Sequence, residues 1–138
     1  MSESTLSGSC LCGTVKYEVT GDAKRFFHCH CSRCRKSTGT GHASNLFVQP
    51  GSLKWLQGEG EIRSYKPPEA VRFANHFCGK CGSRVPRQAA GSDIVIIPAG
   101  SLDVEAPIRP QARIFQGSRA QWSCVGDEIP AFAEYAPQ

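Results

Sequence analysis

The chain reads as a mainly β protein, a single domain of short antiparallel strands pinned by zinc, and three observations predict it. Val15, Tyr17 and Val19 alternate with Lys16, Glu18 and Thr20, the two-residue period of a half-buried strand. Turn-forming residues punctuate the chain, with 14 Gly and 9 Pro among 138 residues, and no window carries a clean 3.6-residue apolar stripe. The cysteines lie in three tight groups, Cys10-x-Cys12, Cys29-x-Cys31-x-x-Cys34 and Cys78-x-x-Cys81, with Cys124 apart.

In chain order, the strand over residues 15–20 leaves the first cysteine pair. Further strands are predicted over 26–29, 43–48, 52–56, 61–65, 71–77, 94–97 and 112–115, where branched and aromatic residues concentrate. Turns at 39–41, Pro50-Gly51, 58–60, Pro67-Pro68, Gly82-Ser83 and Gly91-Ser92 separate them. Short turns of helix are predicted over 32–37 and 130–135. No repeat, low-complexity stretch or linker divides the chain, so one domain spanning 1–138 is expected.

Bulk properties narrow the class. With 40% hydrophobic residues the chain can build one modest core, which a metal would reinforce. No segment has the apolar length of a membrane span. The first nine residues lack the basic start and apolar middle of a secretory signal, so a cytoplasmic location is expected, where thiols stay reduced and clustered cysteines serve as metal ligands or redox groups. A disulfide framework is the alternative that an even cysteine count leaves open. The net charge of +4 is dispersed and does not call for nucleic acid. The densest basic run, Arg33, Arg35 and Lys36, surrounds the cysteine triplet; it either stabilises thiolates and attracts an anionic substrate or forms a solvated rim.

The cysteine arithmetic is informative. Two pairs can complete one tetrahedral zinc site, so Cys10, Cys12, Cys78 and Cys81 are expected to hold a structural zinc. A redox Cys78-x-x-Cys81 would need a following helix, which Gly82 and Pro86 argue against. Cys29, Cys31 and Cys34 supply three ligands, the number that leaves a catalytic zinc one open position. The alternative is a closed site completed by His28, His30, His76 or Cys124. Cys124 reads more simply as a small buried hydrophobe. His28 and His30 flank Cys29 and are not expected to serve it equally, strand neighbours facing opposite ways. His42, after the glycine-rich turn, is a candidate polar group of the pocket, and His42, Ser37 or a backbone N–H could donate to a developing alkoxide.

With these residues in place, the chain resembles the glutathione-dependent formaldehyde-activating enzyme family, which includes the centromere protein V group. The resemblance rests on residues 8–13 around Cys10 and Cys12, on 29–39, on 77–82, on 99–103 and on the segment 115–122, with a core at about residues 7–125. It implies a β-rich, Mss4-like fold, a structural zinc on Cys10, Cys12, Cys78 and Cys81, and a catalytic zinc, which purification can strip, on Cys29, Cys31 and Cys34. It also implies a carbon–sulfur lyase that joins formaldehyde to the thiol of glutathione, giving S-hydroxymethylglutathione. In the tail, Arg119 is expected to pair with a substrate carboxylate and Trp122 to cover its apolar part. The competing readings are a non-catalytic zinc module that binds protein or nucleic acid, and a redox protein cycling Cys31 and Cys34.

Overall fold

The computed structural model describes residues 3–123 and 129–137. Its elements in order are β1 (Glu3–Ser9), β2 (Lys16–Cys29), α1 (Ser32–Thr38), β3 (Ala43–Gln57), β4 (Ile62–Tyr65), β5 (Asn75–Cys78), β6 (Arg87–Gln88), β7 (Val95–Pro98) and β8 (Ala112–Ile114), with three single 3-10 turns between them. The main sheet runs β1-β2-β3-β7-β6 with every neighbouring pair antiparallel. Strand β8 joins the sheet on β2, and β4 pairs with β5 in a separate antiparallel hairpin. The mainly β expectation holds, and no helix among the described residues is long and apolar enough to cross a membrane.

The alternation read from residues 15–20 is the core pattern. Tyr17 and Val19 of β2 are fully buried with Leu6 of β1, while Phe26, Leu46 and Ile97 form a row across β2, β3 and β7. Burying such a side chain contributes roughly 1.5–3 kcal/mol, so this row and its neighbours carry much of the stability. Tyr17 brings a phenol into this core, and its oxygen lies 2.6 Å from Ser101 Oγ. Burial is the chief reason that its pKa is pushed up to about 12 from 10. The folded state thus favours the neutral phenol, so this stabilising effect is complete below pH 10 and fades as pH rises towards 12. Tyr17→Phe is expected to flatten the alkaline limb of the stability curve by about 2–3 kcal/mol, read as the urea midpoint between pH 9 and pH 12.

The structure departs from the sequence expectations in identifiable places. The predicted strands 15–20 and 26–29 are one strand, β2, and 43–48 and 52–56 are one strand, β3, so Pro50-Gly51 lies inside a strand rather than in a turn. The two long strands pair along most of their length and absorb the turn residues as a register shift, with Gly21 opposite Gly51. Gly21 has φ +150°, and a Cβ there would collide with the Pro50 carbonyl oxygen, so glycine is required where β2 bends. Strand β8 pairs parallel to β2, against an all-antiparallel expectation.

Strands β1 and β6 were not anticipated: β1 is polar and β6 only two residues long, so both owe their form to pairing with a neighbour. The stretch 71–77 is strand only from Asn75. Residues 130–135 form no helix; Phe132 and Tyr135 are exposed, and a single helical turn with nothing to pack against does not persist. The predicted helix over 32–37 is present as α1, closed by Gly39 at φ 74°, whose N–H donates to the Arg35 carbonyl at 2.8 Å. Cys124 lies outside the described residues.

Candidate metal centres and the cleft

The first cysteine pair sits in the tight turn between β1 and β2. Cys10 N–H donates to the Val15 carbonyl at 3.0 Å and Gly13 N–H to the Cys10 carbonyl at 3.0 Å. The second pair sits where β5 ends, in a turn closed by Gly82 N–H on the Cys78 carbonyl at 2.8 Å. Leu11 N–H on Ser83 Oγ at 3.1 Å joins the two turns. The four sulfurs of Cys10, Cys12, Cys78 and Cys81 all lie within 4.8 Å of one another, with 3.7 Å between Cys10 and Cys12 and 3.9 Å between Cys12 and Cys78. A tetrahedron of Zn–S bonds near 2.3 Å requires sulfurs about 3.8 Å apart, so this donor set fits zinc.

The surroundings suit thiolates. Val15 N–H donates to Cys10 Sγ at 3.2 Å and Lys80 N–H to Cys78 Sγ at 3.3 Å. Hydrogen bonds from Ser83 bring the Cys81 pKa down to about 5, and the Thr14 hydroxyl chiefly lowers that of Cys12. Val15, Val85 and Trp55 pack around the group as a small core of its own.

The triplet is built at the junction of β2 and α1. Cys29 ends β2, Cys31 caps α1 and Cys34 lies in its first turn; the cap is explicit, Cys34 N–H donating to Cys31 Sγ at 3.3 Å. The intervening residue is held by His30 N–H on the Ile114 carbonyl of β8 at 2.9 Å. The three sulfurs lie within 4.8 Å of one another, and among the described residues no histidine or carboxylate joins them, so His28, His30 and His76 do not close the site. A hydrogen bond from the Cys34 thiol brings the Cys29 pKa down to about 6, while the same bond, burial and the neighbouring thiolate charges push Cys34 strongly up. Three soft donors with one direction free fit zinc as well.

That free direction gives on to a cleft of about 720 Å³ whose wall includes Cys29, Cys31 and Cys34. Arg33, Arg72 and Arg87 line it too, as do the rings of Phe73 and Phe115. Phe115 has φ 55°, an uncommon conformation for a bulky residue, and opens the 3-10 turn Gln116–Ser118 at the cleft edge. Of the basic run noted in the sequence, Arg33 reaches the cleft and pairs with Glu69 at 3.6 Å, whereas Arg35 and Lys36 do not line it.

His42, Arg119 and Trp122 are placed elsewhere. His28 and His30, two residues apart, lie together rather than on opposite faces, and His42 packs on both, with ring centroids 4.1 and 5.1 Å away. This cluster occupies the side of the β2–β3 ladder away from Cys29. Burial, followed by the charges of neighbouring histidines, lowers the pKa of His28 and His30, so both are neutral near pH 7. Trp122 packs against Gly41, and Arg119 lies within electrostatic reach of His30; neither lines the cleft. Arg72, Phe73 and Arg87 were not singled out from the sequence, and no local pattern marks them, since only the path of the chain through 71–88 brings them to the triplet.

Comparison with known proteins agrees with the cysteine geometry. The family profile described as glutathione-dependent formaldehyde-activating enzyme matches residues 5–118. The chain belongs to this family. A Halomonas elongata protein, whose own assignment as a glutathione-dependent formaldehyde-activating enzyme is provisional, is 32% identical over 121 residues, covering 79% of this chain and 72% of that one. The crystal structure of a Rhodobacter sphaeroides protein superimposes with a TM-score of 0.53 at 18% identity, covering 78% of this chain and 98% of that one, and shares the fold. All three cysteine groups fall inside the matched family region, and Cys124 lies beyond it.

Proposed function

We propose that this member of the formaldehyde-activating family is a zinc-dependent carbon–sulfur lyase that joins formaldehyde to a small thiol of the glutathione type, or releases it. The observation that carries the reading is the contrast between the two cysteine groups. Four sulfurs close one tetrahedron in a small core, whereas three sulfurs with no fourth ligand among the described residues face a cleft.

Cys29, Cys31 and Cys34 would hold the zinc, whose chemistry when bound would be to lower the pKa of a neighbouring thiol so that it could act as a thiolate at neutral pH. The chain's own contribution is to orient its three sulfurs towards one point and to favour the thiolate at Cys29. Cys31 accepts from the helix N–H of Cys34, and Cys29 titrates below the ordinary thiol range. The thiol gives up its proton to solvent, its sulfur attacks the carbonyl carbon to form the C–S bond, and the π electrons move to the oxygen, which takes a proton back from solvent. Ser37 is already engaged with the Cys34 carbonyl at 3.3 Å and His42 lies with the histidine cluster, so Ser32 and Ser118, which line the cleft, are the better donors to that oxygen. Phe73 and Phe115 give part of the cleft an apolar lining.

The test is metal content and sulfur coordination of the purified chain, with and without excess glutathione. Two zinc ions per chain are expected, and X-ray absorption should show the mean sulfur number per zinc rising from about 3.5 to about 4 on adding the thiol. A single zinc even after reconstitution, or a spectrum indifferent to the thiol, overturns the reading and favours a purely structural zinc module.

A further inference from the structure

Among the described residues, the cleft lining carries more arginine than carboxylate. Of the three arginines lining it, Arg33 has a carboxylate partner in Glu69, but among the described residues neither Arg72 nor Arg87 has a carboxylate within 4.0 Å. Among the described residues, Glu69 is the sole acidic residue of the lining.

Arg87 is the more telling of the two. It is half-buried on the short strand β6, held there by pairing with Ile96 and preceded by the fully buried Pro86. Arg84 lies nearby, placed by the turn that carries Cys78 and Cys81, through the bridge between Phe77 and Arg84 and the hydrogen bond from Val85 N–H to the His76 carbonyl at 2.9 Å. Arg84 has partners: Nε donates to Asn75 Oδ1 at 2.8 Å, and the three thiols of the triplet lie close enough for their charges to stabilise its guanidinium. Arg87 feels burial first and then repulsion from Arg84, offset only by Cys34. A half-buried cation beside a like charge is costly unless an anion approaches it. Arg87 borders both the cleft and a second surface cavity lined by Trp55, Arg63 and His76, and of the two only the cleft also holds the triplet.

We propose that Arg87, assisted by Arg72, forms a carboxylate-binding subsite that makes the cleft select an acidic thiol over a neutral thiol of the same size. The inference rests on the reading of the triplet as a thiol site and adds to it the residues that would read the carboxylate of such a thiol. A guanidinium matches a carboxylate through two parallel N–H donors, and the rings of Phe73 and Phe115 suit the methylene portion between sulfur and carboxylate. This role was expected of Arg119, which the fold places outside the cleft.

The experiment is calorimetric titration of the zinc-loaded full chain with three probes: glutathione, its dimethyl ester, and S-methylglutathione. Glutathione is expected to bind about 10- to 100-fold more tightly than the ester. Arg87→Gln should remove most of that ratio while leaving the affinity for the ester and the zinc content unchanged. Arg72→Gln, at an exposed position where folding is not at stake, should reduce the ratio in part. A ratio that survives in both variants, or an unmodified chain that binds acid and ester alike, overturns the subsite. If instead glutathione and S-methylglutathione bind equally and Arg87→Gln weakens both, the subsite stands and the thiol reading of the triplet falls.

Discussion

Replacing Cys78 with serine should strip about one zinc per chain and lower the melting temperature by about 15 °C or more. Cys78 is fully buried among Val15, Val85 and Cys10, so the substitution leaves a hydroxyl in an apolar pocket as well as removing a ligand. Structural zinc contributes apparent binding energies of roughly 10–16 kcal/mol to small zinc domains, and losing even ~5 kcal/mol of that corresponds to about 15 °C in a chain of this size. The metal also ties Cys10 and Cys12 to Cys78 and Cys81, closing a loop that spans half the chain and restricting the unfolded state. Because the same turn delivers Arg84 towards the triplet, the variant should also bind acidic thiols poorly. Zinc analysis and a thermal melt suffice, and an unaltered zinc content with an unaltered melt would refute the assignment.

Cys31→Ser should behave in the opposite way, losing activity but not stability. Cys31 is the N-cap of α1, and serine is among the best N-cap residues, so its hydroxyl can accept the Cys34 N–H in place of the sulfur. The helix should therefore persist and the melting temperature move by less than about 3 °C. One soft ligand of three is nonetheless lost, and with it the activated thiolate. We expect adduct formation between formaldehyde and glutathione, followed by NMR, to fall by about 1,000-fold or more, since metal activation supplies several kcal/mol of transition-state stabilisation. Zinc should drop by about one equivalent. A Cys31→Ser chain that retains the rate would remove the triplet from the chemistry.

Legibility of the site followed the distance in sequence between its parts. Cys29, Cys31 and Cys34 reach one point because a strand end, a cap and a first helical turn are consecutive, so six residues of sequence contain the geometry. The pairing of Cys10 and Cys12 with Cys78 and Cys81 was readable from ligand number, since neither pair can close a tetrahedron alone. Arg72 and Arg87 had no such signature. Their meaning depends on the loop before β5 and the two-residue strand β6 both folding back on the end of β2. The position of the tail depends on pairing of the same long-range kind. Parallel pairing of β8 with β2 sets the course of the chain after Phe115, and Trp122 lies against Gly41 while Arg119 is within electrostatic reach of His30.

Long strands were undercounted because Gly21 and Pro50-Gly51 carry local turn chemistry that a continuous ladder overrides. The histidines were assigned to different faces although residues 28 and 30, two apart, share one in a strand.

What the amino-acid order determined by itself was the class of the fold, the two sulfur groups and the metal that suits them, because alternation, turn residues and ligand spacing act over a few residues. Tertiary structure alone decided what faces the triplet: a cleft with two arginines that have no carboxylate partner among the described residues and two aromatic rings, while His28, His30 and His42 cluster apart from it. The physical reason is that charge and packing depend on distances through space, and those distances are set by strand pairing between residues far apart along the chain.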